Sequence, residues 1–384
     1  MVMRKRKQQV TEENLTLTVS GSSNERCETE YFAPIPVDLV IRILSRLLSG
    51  RSMAQCRCVC KLWSSIIRRQ NNNKLFPINS PDPPRLLFSF VLRDNLYFCS
   101  APQKLDNNNN STIVTATFHR TFPHSTVFSQ TYRPACGLVC HQIEGKNHVM
   151  AVISNPITGE SVAPPKVKTY GFVAKTYFGY DPIGNKFKVL CLTWSHCRTL
   201  EHQVLTLDTG RKLLWRKIPC CISYSPLADN GICVNAVLYY TASVAKRMIV
   251  CFNIRSETFD FIIGRPERLS FMDMTPTLVN YKGKLGAVDT LDHVDGFVFW
   301  VLEDVEEHKW SKHILVTPVQ WNAEHVSAVG VTDREEIVFS PKYAQKDSFY
   351  ISYYNLQSNT TSVVCLYNER LKPKARIEVE NLEL

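Results

Sequence analysis

Three groups of side chains in this sequence are of types that could do chemistry. The acidic and imidazole groups with apolar neighbours are Asp208, Asp292, His293, Asp295, Glu303 and Asp304. A convergent pair of them could act as general acid and base. Most instead fall at turn positions, where Asp and Asn stabilise the turn through side-chain to backbone bonds. Cys136, Cys140 and His141 are of metal-ligating type. No second Cys or His pair follows at zinc-finger spacing, so no metal site is expected. Cys56, Cys58 and Cys60 alternate, and on a helix such positions scatter over different faces. Nucleophile-elbow, phosphate-loop and dinucleotide-binding glycine patterns are absent, as are repeated Cys-x-x-Cys pairs. The motifs therefore predict no catalytic residue and no cofactor.

The elements that would position these groups fall in three stretches. Residues 1–33 are polar with little apolar periodicity, the composition of a disordered tail. In residues 34–77, Leu39, Ile43 and Leu47 recur at helical spacing, flanked by Val40 and Leu44. Pro36 suits a first turn, Asp38 complements the helix dipole, and Gly50 stops the run. Ser52 with Gln55 has capping-box spacing before a second apolar side holding Met53, Cys56, Val59, Trp63, Ile66 and Ile67. Two or three short helices cannot bury that much apolar surface alone. The surplus must pack on something else, which marks an interaction module. An Asn- and Pro-rich stretch over 70–84 then reads as a linker.

Residues 85–384 read as an all-β domain, with short β-branched and aromatic runs between turn signals. An apolar strand ending in Asp or Asn before a polar turn recurs at Asn155, Asp208, Asn253, Asp304 and Asn355. The spacings are 53, 45, 51 and 51 residues, each holding about four strands. Four-stranded units of that length are propeller blades, and about six fit the domain. A copy at Tyr180-Asp181-Pro182 falls inside a period, so a β-sandwich stays open as the alternative.

The chain has 384 residues and a net charge of +10. The excess is local: 34–77 carry eight basic residues and one acidic, net +7, while the 307 residues after them carry only +3. A compact basic module beside a nearly balanced β domain fits an acidic protein partner and argues against nucleic acid. No apolar run is long enough to span a membrane. The N-terminus has no secretory pattern, so the 14 cysteines are read as reduced, and residence in the nucleus, the cytoplasm or both is expected.

The segments 35–47 (IPVDLVIRILSRL) and 57–63 (RCVCKLW) resemble a plant-type F-box. The β domain resembles the plant F-box-associated domain of type 3, through 84–88, 177–182, 201–207, 237–240 and 300–304. The resemblance implies an α+β multidomain chain, a small helical F-box before a propeller-like domain. It also implies a non-catalytic substrate receptor of an SCF (Skp–cullin–F-box) ubiquitin ligase. The F-box would bind a Skp-like adaptor, and through it cullin and RING subunits, while the β domain holds an unidentified target protein. Carried over by position, the adaptor-facing or supporting set is Pro36, Leu39, Ile43, Leu44, Leu47, Val59 and Trp63. Two features depart from the family: Arg42 stands where an acidic residue is usual, and Leu48 to Arg51 form a longer loop lacking the usual Pro. They motivate a rival reading, a degenerate F-box protein acting outside a ligase. Residues 366–384 also match poorly, so the last blade is expected to lack its closing strand and expose a sheet edge.

Overall fold

The computed structural model describes residues 39–40, 55–56, 59–64 and 85–382. Within the last range the breaks are 93–94, 103–110, 124–129, 132–134, 157–158, 171–173, 196, 198, 208–211, 228–230, 245, 263–275, 291–295, 317–325, 333, 342–348 and 368–375. The tail 1–33, Arg42, the 48–51 loop, Asp208, Asp292, His293 and Asp295 lie outside the described residues.

Six sheets follow one another along the chain. Blade 1 uses β1 (Arg85–Leu92), β2 (Asn95–Pro102) and, after β3 (Ser111–Thr115), β4 (Thr117–Pro123). Blade 2 holds β5 (Gln130–Thr131), β6 (Val139–Gly145), β7 (His148–Ser154), β8 (Ser161–Val162) and β9 (Val167–Lys168). Blade 3 holds β10 (Lys175–Asp181), β11 (Lys186–Trp194), β12 (Leu200–Leu207) and β13 (Arg216–Ile218). Blade 4 holds β14 (Ser225–Pro226), β15 (Ile232–Val234), β16 (Val237–Ser243), β17 (Arg247–Asn253) and β18 (Phe259–Ile262). Blade 5 holds β19 (Thr277–Tyr281), β20 (Lys284–Thr290), β21 (Gly296–Asp304) and β22 (Lys309–Val316). Blade 6 holds β23 (Val326–Val331), β24 (Glu336–Pro341), β25 (Phe349–Asn355) and β26 (Thr360–Tyr367). The last strand, β27 (Arg376–Leu382), returns to blade 1 and pairs antiparallel with β1.

The side-chain pattern explains why the sheets form a ring rather than two stacked layers. A middle strand such as β21 is buried on both faces, over GFVFWVL. Its alternate residues point to different neighbours. Val298, Trp300 and Leu302 pack with Tyr239, Cys251 and Ile262 of blade 4. Phe297, Phe299 and Val301 pack with Ile337 and Phe339 of blade 6. Likewise on β16, Leu238, Tyr240 and Ala242 pack against blade 3, and Tyr239 against blade 5. Separate clusters join blades 1 and 2, blades 2 and 3, and blades 6 and 1, so every blade is covered on both sides. Each fully buried Leu, Val or Phe contributes about 1.5–3 kcal/mol of transfer free energy. The architecture is a six-bladed β-propeller, and the sandwich alternative falls.

The expectation of an incomplete last blade is corrected. Blade 6 has its four strands, and β3 adds to β26 as a fifth, in parallel, from Val363↔Ser111 to Tyr367↔Thr115. The C-terminal residues match no further strand of blade 6 because β27 serves blade 1. The ring is thus closed twice, by β27 entering blade 1 and by β3 reaching out of blade 1 to blade 6.

The repeat seen in the sequence is one turn, that between the third and fourth strands of a blade. At Asn253 the side-chain oxygen accepts from the N–H groups of Arg255 and Ser256, at 3.0 and 3.1 Å. Asp304 does the same for Glu306 and Glu307, and Asn355 for Gln357 and Ser358. Tyr180-Asp181-Pro182, which breaks the period, sits at the turn between the first and second strands of blade 3. There Asp181 accepts from the Ile183 N–H at 3.1 Å.

Candidate partner-binding surfaces

The helical module shows its apolar surface in the few residues described. Leu39 and Val40 are neighbours on one helical turn, yet Leu39 is 49% exposed and Val40 is buried. Val40 thus points inward, and Leu39 is offered outward. Val59 is 63% exposed in a turn, and Trp63 is half-buried. Cys60 starts the helix that carries Trp63. Its sulfur accepts from the Trp63 N–H at 3.4 Å, and its carbonyl from the Ser64 N–H at 3.0 Å. The role of Cys60 is thus a cap, satisfying an otherwise orphaned donor of the first turn. Leu62 is also exposed and is absent from the sequence-derived set. It sits beside Trp63 in the first turn of that helix. Pro36, Ile43, Leu44 and Leu47 lie outside the described residues.

The propeller has two unlike ends. One end carries the turns between first and second and between third and fourth strands. In blades 4 to 6 these are short: 235–236, 254–258, 282–283, 305–308, 332–335 and 356–359. Lys282 and Gly283 both have positive φ, 53° and 74°, as a two-residue hairpin of this twist requires. This end is stitched from blade to blade. The Arg255 guanidinium of blade 4 donates to both oxygens of Asp181 in blade 3, at 2.7 and 3.2 Å. Lys188 and Arg216 of blade 3 both donate to Glu257 of blade 4, at 2.6 and 2.5 Å. The Lys188 ammonium, itself buried, also donates to the Ile254 carbonyl at 2.6 Å. Asn235 donates to the Gly283 carbonyl at 2.8 Å, joining blades 4 and 5. Lys282 pairs with Glu335 at 2.7 Å, joining blades 5 and 6. Beside that pair, Tyr281, Arg334, Asn355, Leu356 and Gln357 line a shallow cavity of about 220 Å³.

These contacts set the protonation states. Arg255 holds the Asp181 carboxyl down at about 2, against the raising effect of its burial. Burial alone would raise Glu257, but the bonds from Arg216 and Lys188 outweigh it and lower the group. Glu303 is engaged by Lys284 and Ser311, and Asp304 by its turn. Burial pushes the Cys140 thiol up, which suits a packed hydrophobe rather than a ligand. Among the described residues no three His, Cys, Asp or Glu side chains gather as a metal site.

At the other end lie the connections between second and third strands and between blades. In blades 4 to 6 all but 244–246 are at least as long as the longest of those turns: 263–276, 291–295, 317–325, 342–348 and 368–375. The chain enters β1 at Arg85, opposite Pro102 and the end of β27 at Leu382. Third strands and first strands finish at the short-turn end, so the helical module is tethered there. The connections between second and third strands and between blades join the strand ends at the opposite side.

Comparison with known proteins agrees with this layout. Residues 85–376 match the family model of the F-box associated beta propeller domain, and residues 32–71 match that of F-box-like regions. A chain of Arabidopsis thaliana named as a candidate F-box protein, At1g55070, is 47% identical over 376 residues, covering 93% of this chain and 92% of its own. F-box protein DOR of Arabidopsis thaliana is 39% identical over 350 residues, covering 86% and 87%. Among solved structures, a fucose-specific lectin from Aleuria aurantia covers 73% of this chain and 96% of its own, with a TM-score of 0.41 at 10% identity. At that level nothing about this chain's ligand follows. With both of its regions matched and near full-length relatives, the chain belongs to the F-box proteins that carry a C-terminal F-box-associated β-propeller domain.

Proposed function

We propose that this chain is the substrate-recognition subunit of an SCF ubiquitin ligase, present in the nucleus, the cytoplasm or both. The observation that carries the reading is the pairing, in one chain, of an F-box-like region with a propeller domain of the F-box-associated family. Leu39, Val59 and Trp63, with Pro36, Ile43, Leu44 and Leu47, supply the apolar surface for a Skp-like adaptor. Cullin and RING subunits join through that adaptor. The basic excess of residues 34–77 complements an acidic partner. The chain is itself non-catalytic. It holds a target protein near a charged conjugating enzyme, so that a bimolecular encounter becomes effectively intramolecular. The target docks on the long-connection end, which faces away from the tether and leaves the adaptor side clear.

The test is calorimetry of the full chain against a panel of Skp-like adaptors. Sub-micromolar binding, about −8 kcal/mol or better, is expected. The double variant Leu39→Asp/Trp63→Ala should lose it by at least about 100-fold while the propeller keeps its thermal transition. Unchanged adaptor binding by that variant would overturn the assignment of the surface. Arg42 and the longer 48–51 loop favour the second reading, a partner-binding protein outside a ligase. Under it the native chain binds no adaptor, and restoring an acidic residue at 42 and the shorter Pro-containing loop restores binding.

A further inference from the structure

Two outer strands of the ring are eight residues long, β22 in blade 5 and β26 in blade 6. The outer strands of the other blades run from two to seven residues. These two long edges are treated differently. β26, with the sequence TTSVVCLY, has no charged side chain and is covered by β3. β22, with the sequence KWSKHILV, carries Lys309, Lys312 and His313, and among the described residues no strand pairs with its outer edge. An open edge displays a row of unpaired N–H and C=O groups, and lysines there can serve simply to keep other chains away.

That defence does not account for what lies beneath β22. Trp300, opposite Lys312, and Trp310, two residues before it, share one face of the sheet with Lys312 and Ile314. Both indoles pack in the cluster between blades 4 and 5. Both indole N–H groups are buried and have no acceptor among the described residues, Trp300 being only 7% exposed. Above them the Lys312 ammonium stands 5.2 Å from the centroid of the Trp300 ring, and Ile314 is 59% exposed. Nearby acids do not neutralise this half of the strand. Glu303 is already engaged by Lys284 and Ser311, and Glu306 and Glu307 sit in the turn before β22.

An open strand edge, a cation and an exposed aliphatic side chain two residues from it call for the same occupant. We propose that the outer edge of β22 docks an extended, acidic segment of a partner protein, which adds to blade 5 as a fifth strand. Blade 6 already shows, with β3, that an outer edge of this ring accepts a fifth strand. Backbone bonds supply the pairing, and the side chains opposite Lys312 and Ile314, which share one face, supply selectivity for an acidic residue two positions from an aliphatic one. The surface stands whether or not the chain joins a ligase.

The test is fluorescence anisotropy of the full chain with a labelled peptide of sequence SETVTETVTS, whose Glu and Val side chains succeed one another on one face. Binding at or below about 100 µM is expected, and at least about tenfold weaker binding of the same peptide with Lys in place of Glu. Lys312→Glu/Ile314→Glu, both at exposed positions, should weaken binding at least about tenfold, while Lys146→Glu/Lys168→Glu on blade 2 leaves it unchanged. Methylating alternate backbone nitrogens of the peptide tests the pairing with no variant at all and should abolish binding. Three outcomes overturn the proposal: no binding, equal loss with the blade 2 variant, or undiminished binding of the methylated peptide. A concentration-dependent dimer abolished by Ile314→Glu would also overturn it, by placing a second copy of the chain on the edge.

Discussion

The interface between blades 3 and 4 is tied at both ends, and the two ties are made of different chemistry. Toward the short turns the tie is ionic: Asp181 with Arg255, and Glu257 with Lys188 and Arg216. Toward the long connections it is neutral. The His202 ring and the Tyr224 hydroxyl share a hydrogen bond at 2.8 Å, and Tyr224 shares another with the Tyr240 hydroxyl at 2.5 Å. Tyr240 in turn stacks on Tyr177, with ring centroids 4.2 Å apart. The ionic end can stand partly in water, since Arg255 and Arg216 are more than half exposed. The neutral end is dry, and burial pushes the Tyr224 phenol up and the His202 ring down. A buried network is safe only while every member is paired and uncharged. The two ends should therefore fail under different insults.

The largest effect should come from the buried cation of the ionic end. Lys188 is buried, and its ammonium relies on Glu257 and one carbonyl. Glu257→Ala leaves that charge uncompensated and should cost about 3–5 kcal/mol of stability. Adding Lys188→Met removes that stranded charge, so the double variant should recover about 2 kcal/mol or more. Urea titration of the single and double variants measures this. Equal stability of the two would mean that Lys188 finds water, and that the ionic end is a surface feature.

Acid should separate the ends. His202 titrates at about 4 in the folded chain, lowered by burial from an ordinary 6.5. Between those values the unfolded chain binds a proton that the folded chain refuses. The stabilisation is complete above pH 6.5 and is lost as pH falls toward 4, by up to about 3 kcal/mol. Asp181 acts lower. Arg255 holds it at about 2, so its contribution is present above about pH 4 and is lost only as pH falls through 2. Mild acid should thus loosen the neutral tie while the ionic tie still holds. Denaturation at pH 7 and pH 4.5, on the native chain and on His202→Gln, checks this. The variant should lose most of the difference between the two pH values.

How much of this was legible in the sequence follows from what each feature depends on. The turn repeat was legible because an Asx turn is local: Asn253, Asp304 and Asn355 bond to the N–H groups two and three residues on. The blade count followed from that period. The closure was not legible, because β27 pairs with a strand almost 300 residues earlier, and β3 leaves its neighbours β2 and β4 for blade 6. Lys188 looked like one polar residue in a strand. Only the approach of Glu257, 69 residues away, gives it a partner. Of the proposed adaptor-facing set, helical spacing found Leu39, but exposure divides it from its neighbour Val40. Leu62 was passed over because the sequence pattern that located Val59 and Trp63 reads them as the signature and Leu62 as filler.

The smallest expected effect sharpens the contrast between the two ends most. Asn253 accepts two backbone N–H bonds at the short-turn end, and Asn253→Ala should cost about 1 kcal/mol through the orphaned donors. Val244 is a largely exposed residue of the 244–246 turn at the other end. Val244→Ser removes no packed side chain and should move stability by less than about 0.5 kcal/mol. Neither variant should change adaptor binding, since both are remote in sequence from the helical module. If the long-connection end is a display surface, its side chains are free to be chosen for a partner rather than for the fold. Equal costs for the two variants in urea titration would remove that freedom and make the far end a structural one, leaving the outer edge of blade 5 to carry recognition.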